Sequence, residues 1–198
     1  MEYKLNQIIE ALLLSASRPV SIEEIEKVFV ENAPSRDEIR KSLKEIEEDC
    51  LNRGIELKKV STGFRLQVKQ DLSSYVSKLW EERPQKFSKA TLETLSLIAY
   101  KQPITRGEIE EVRGVTVGTQ LMRGLMERGW VKIVGQRDVP GRPSLYATTK
   151  DFLDYFGLQH LRELPDLPEL PDLKSLELKL PIEETDQHEE NQISQPLS

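Results

Sequence analysis

Cys50 is the single cysteine of the chain, and its only histidines are His160 and His188. A thiolate nucleophile needs a base or a cation beside it. No histidine lies near Cys50 in sequence, and its place one turn after Ile46 on an apolar helical face predicts a buried, inert thiol. One cysteine closes no internal disulfide, and two distant histidines without thiolate partners do not build a structural zinc site. Glu108, Glu110 and Glu111 fall in the first turns of a short helix, where carboxylates suit the helix dipole. Pro140-Gly141-Arg142-Pro143 has one glycine, no Lys-Ser/Thr pair and no strand-to-helix setting, so it is no phosphate cradle. These residues form no catalytic constellation, and neither a cofactor nor a metal is expected.

Binding chemistry is better represented. Residues 85–157 hold eleven basic and eight acidic side chains, with Arg123 and Arg128 expected on a helix and Arg137 and Arg142 on a following hairpin loop. These four are placed either to touch phosphates weakly or to pair with neighbours such as Glu127 and Asp138. Tyr100, Trp130, Tyr146, Phe152, Tyr155 and Phe156 fall in the same stretch. Aromatics with arginines are the usual furniture of a peptide-binding groove, although most of these rings are also wanted by a small core.

The elements that position these residues come in two copies. Leu12 to Val28 lies over Ser96 to Val112 at a constant offset of 84. Each copy reads as an amphipathic helix stopped before a proline, then Val20 or Ile104, then Ser21 or Thr105 as helix N-cap with Glu24 or Glu108 three residues on, a capping box. Ser35 caps a third helix in the first copy, with Ile39, Leu43 and Ile46 on one face and Gly54 expected as its left-handed end. In the second copy Leu121, Leu125 and Met126 mark a shorter helix ending at Gly129. Alternating apolar residues then predict hairpins: Ile55–Val60 with Phe64–Val68 around Thr62-Gly63, and Trp130–Val134 with Leu145–Thr148. Three helices and a two-stranded wing make a winged helix. The expected fold is α+β, mainly α, with winged-helix domains over 1–70 and 85–157, a connecting helix over 71–84 ended by Pro84, and a short helix after Thr149.

From Leu158 onward, the Leu-Pro-acid unit repeated between Leu164 and Leu173 removes backbone donors and predicts an extended arm followed by a disordered acidic tail. Residues 158–198 carry ten acidic and three basic side chains, so the whole-chain charge of −6 leaves residues 1–157 near neutral at +1. The longest apolar run is Ala11 to Leu14, far from the ~20 residues of a bilayer span. With no signal-peptide pattern at the start, a cytoplasmic address is expected. The third helix of the first copy, residues 35–53, nets −1 and makes a poor reader of a DNA groove.

Leu95 to Val115, with Ala99-Tyr100-Lys101-Gln102-Pro103-Ile104-Thr105-Arg106 at its centre, closely resembles the signature of the segregation and condensation protein B family. So do Gly135 to Thr149, Phe152-Leu153, Phe156-Gly157-Leu158 and Leu161-Arg162-Glu163-Leu164-Pro165. The likeness is strong over 88–165 and rests on layout over 1–84. It implies a non-enzymatic bacterial subunit that forms a homodimer through its first winged-helix domain and binds the central region of the ScpA-type kleisin. That kleisin would link it to the SMC ATPase, which hydrolyses ATP, in nucleoid-associated chromosome condensation and segregation. Tyr100, Arg106, Arg113, Arg142 and Tyr146 are the expected partner contacts. Each also has a plain structural role open to it: Arg113-Gly114 as a helix end, Gly141-Arg142-Pro143 as the shape of the wing. Arg123, Arg128 and Arg137 are the expected weak DNA contacts. The competing class is a winged-helix DNA-binding transcriptional regulator.

Overall fold

The computed structural model describes residues 3–30, 33–79 and 87–166. The expected end of the connecting helix at Trp80 to Pro84 and the expected tail from Leu167 lie outside these residues. Met1–Leu164 form one compact unit, which contains two separate apolar cores.

The first core is built by α1 (Leu5–Ser15), α2 (Ile22–Val28), α3 (Arg36–Asp49) and the hairpin β1 (Ile55–Lys59) with β2 (Phe64–Val68). Ile9 and Leu13, one turn apart on α1, meet Ile25 of α2, the stripe Ile39, Leu43 and Ile46 of α3, and Cys50 just after its end. Burying each such side chain contributes ~1.5–3 kcal/mol, which outweighs the many charges on the outer face of α3. Ser21 closes the expected capping box with Glu24, and Ser35, expected as a cap, also closes one with Glu38. The hairpin pairs Leu57 with Leu66 in register, so Ile55, Leu57, Phe64 and Leu66 all turn toward the helices.

Ten residues of short helical turns follow. The 3-10 turns Gln70–Leu72 and Ser77–Leu79 flank α4 (Ser73–Val76), where one continuous connecting helix was expected. The second core then repeats the first with α5 (Lys89–Lys101), β3 (Ile104–Thr105), α6 (Arg106–Arg113), α7 (Thr119–Glu127), β4 (Val131–Gln136), β5 (Ser144–Thr148) and α8 (Lys150–Tyr155). The helix-helix-helix-hairpin order matches the winged-helix layout in both halves.

Three expectations are corrected. Gly54 is not a left-handed helix end: α3 stops at Asp49 with Cys50 still right-handed, and the left-handed glycines are Gly114, Gly129, Gly141 and Gly157. The second sheet has three strands rather than two, in the order β3-β5-β4, because Ile104 and Thr105 pair with Tyr146 and Leu145. The first copy has the remnant of the same pairing, a bridge between Val20 and Phe64, and Val20 is the repeat partner of Ile104. Leu158 to Leu164 were expected in the extended arm. They belong to the folded unit instead: Leu158 and Leu164 pack on the second core, and a 3-10 turn spans Leu161–Glu163.

Candidate functional site

The second half presents a short, heavily cross-linked helix, α6, flanked by two hollows. The Thr105 hydroxyl accepts from the N–H of Glu108, while Glu108 Oε2 accepts from the Thr105 N–H at 2.8 Å and its hydroxyl at 2.9 Å. Arg137, arriving from the end of β4, adds bonds to both Glu108 oxygens at 2.7 and 2.8 Å. The Thr105 backbone N–H foremost, then its hydroxyl and Arg137, hold the Glu108 carboxyl below its usual range. Glu110 is lowered in the same sense by the Val117 N–H at 2.8 Å and then by Arg106 at 3.0 Å. At the far end Arg113 reaches Glu93 on α5 at 3.1 Å, and Gly114 ends the helix in the left-handed region. The helix is thereby tied to the wing, to the loop before α7 and to α5.

Between α5 and α6 lies a hollow of about 740 Å³ lined by Phe87, Lys89, Leu92, Glu93, Ser96, Leu97, Val112 and Arg113. Leu92 and Val112 are exposed, at 42% and 51%, and both line this hollow, which gives it an apolar surface open to solvent. Arg113 is the opposite: its side chain is only 9% exposed, and its buried Nε has no hydrogen-bond partner among the described residues. On the other side of Val112 a second hollow of about 450 Å³ is lined by Lys101, Pro103, Glu108, Glu111 and Arg137. An apolar trough edged by Glu93, Lys89 and a nearly buried arginine suits an amphipathic peptide or helix.

The expected contacts distribute unevenly around this helix. Arg113 lines the larger hollow, and Tyr100, half-buried, follows Glu93, Ser96 and Leu97 at seven, four and three residues on α5, hence on the same helical face. Arg106 is spent on Glu110 and Thr119. Tyr146 stands on the central strand opposite both Ile104 and Ile133 and packs on the core. Arg142 is exposed at the wing tip with φ 39, and its side chain has no polar partner among the described residues.

The four expected phosphate contacts are mostly engaged within the chain. Arg123 pairs with Glu127 at 2.7 Å, one of the two pairings anticipated. Arg137 binds Glu108 rather than Asp138, because the strand carries it to the α6 N-terminus. Arg128 donates to the Gly124 carbonyl and lies over the rings of Phe87 and Trp130 at 5.4 and 5.9 Å. Leu92 and Val112 are not among the expected partner contacts. The signal was present in α5, where Leu92, Leu95, Leu97, Ile98, Ala99 and Tyr100 supply more apolar surface than one buried stripe uses.

The model of the Segregation and condensation complex subunit ScpB family matches residues 7–167. The chain belongs to this family. A Segregation and condensation protein B homolog of Coxiella burnetii is 47% identical over 155 residues, 78% of this chain and 74% of the relative. Segregation and condensation protein B of Clostridium tetani is 38% identical over 163 residues, 81% of this chain and 85% of the relative. Among solved structures, ScpB from Mycobacterium tuberculosis is 32% identical, covering 80% of this chain and 99% of that one, with a TM-score of 0.36. A dimer of the ScpB N-terminal domain complexed with ScpA peptide is 29% identical, covering 38% and 93%, with a TM-score of 0.35. For this ScpB family member, the described residues contain no helix long and apolar enough to cross a membrane.

Proposed function

We propose that this ScpB family member is a non-catalytic scaffold that forms a homodimer and captures the central region of an ScpA-type kleisin, joining the SMC ATPase in cytoplasmic, nucleoid-associated chromosome condensation and segregation. The observation that carries kleisin capture is the α5–α6 hollow, in which exposed Leu92 and Val112 flank the nearly buried Arg113. Family membership supplies the partner. Self-association is assigned to the first half, where Leu14, Val28 and Val30 are exposed at 62%, 51% and 95%. The DNA-regulator reading has less support, since Arg123, Arg128 and Arg137 already serve internal contacts.

Light scattering of the purified chain mixed with the kleisin's central segment tests both parts. The expected result is a dimer alone and a heavier complex on mixing, with Val112→Glu weakening capture at least about tenfold while dimer mass is retained, as expected for a charge placed in an apolar anchor site. A monomer that leaves the kleisin unbound overturns the proposal.

A further inference from the structure

Asp154 is a carboxylate buried to 9% exposure near the end of α8, in the second half of the chain. A buried carboxylate is costly unless it accepts good hydrogen bonds. Both of its side-chain bonds among the described residues come from one residue of the first half. Thr62 donates its backbone N–H to Oδ1 at 3.0 Å and its hydroxyl to Oδ2 at 2.6 Å. A third bond runs alongside, from the Ser61 N–H to the Leu158 carbonyl at 3.0 Å. Gly157, at φ +71, reverses the chain after α8 so that Leu158 can present that carbonyl, and it lies against Lys58 and Arg65 of the first hairpin.

Each side of this contact is anchored in its own core. Thr62 sits in the tight turn closed by the Val60 N–H on the Gly63 carbonyl at 2.8 Å, and the next residue, Phe64, exchanges two backbone bonds with Val20. On the other side Thr149 caps α8, and Phe152 fixes it at 4% exposure in the second core. Separating the halves would take from Asp154 both of its protein donors among the described residues, and a charge-assisted O–H bond of this length is among the stronger ones. We infer that Asp154 is a positioning residue that latches the turn Ser61–Gly63 and holds the two halves of the chain at one fixed angle. The latch is independent of what either half binds.

Nitrogen-15 relaxation of the full chain, read separately for amides of the two cores, tests it. The wild type is expected to tumble with a single correlation time shared by both halves. Thr62→Val, which keeps the shape and removes the hydroxyl, and Asp154→Ala are each expected to lose that single value and give two, with amide shifts inside each core unchanged. Thr62→Ser, which keeps the donor, should retain the single value. Thr62 lies on the turn of the first half, so its substitution tests the latch even if Asp154→Ala unfolds α8. Two correlation times in the wild type, or one persisting in Thr62→Val together with Asp154→Ala, overturns the inference.

Discussion

Gly63 is demanded by contact rather than by backbone angle. A side-chain carbon there would overlap the carbonyl of Val20, and neither strand can retreat because Val20 and Phe64 are joined by bonds of 2.8 and 2.9 Å. Gly63→Ala is therefore expected to destabilise the chain by about 1–3 kcal/mol, the usual cost of overpacking, seen as a lower urea midpoint with unchanged m-value; a midpoint within error of wild type would show that the bridge yields. The sequence revealed a turn at Thr62-Gly63 but not this cause, since Val20 lies some forty residues away in the chain. Glu108 and Arg137 are similar: each was visible as a charge, yet their pairing needed β4 to return to the start of α6.

At the scale of elements, the helix starts are the most legible feature, because a capping box is local. Ser21 with Glu24 and Thr105 with Glu108 form as the residue order predicts, and Ser35, expected as a cap, closes the same kind of box with Glu38. They also make stability depend on acid. Glu24 is held at about 2 by the Arg18 guanidinium first and the Ser21 N–H next, and Glu38 is lowered by Ser35. A carboxyl with a depressed folded pKa binds fewer protons folded than unfolded, so its stabilisation is present above the ordinary pKa and fades as pH falls toward the folded value. The unfolding midpoint should therefore fall between about pH 4.5 and 2, and Glu24→Gln should flatten that slope; an unaltered slope in Glu24→Gln would reject the assignment. Less legible were pairings made over distance. β3 is two residues long and carries no period, and Gly54 resembled a helix end only because glycine follows an apolar stripe.

For the whole molecule, both cores close within Met1–Leu164, although composition had placed the boundary at Leu158. The polar, proline-bearing run begins near there, but Leu158 and Leu164 are drawn back onto the second core by contacts that no local pattern encodes. A chain ending at Asp166 is accordingly expected to melt within about 2 °C of the full chain and to keep kleisin capture; a larger drop in calorimetry, or loss of the complex, would show that residues beyond 166 contribute. The 84-residue offset predicted two similar halves, and the Val20 and Ile104 bridges show the likeness reaching the strand pairing itself. Cys50, the sole thiol, is 3% exposed and its pKa is pushed up by burial. The native thiol is thus expected to react slowly with maleimides, so a cysteine introduced at an exposed position should be labelled in preference to it, without first removing the natural one.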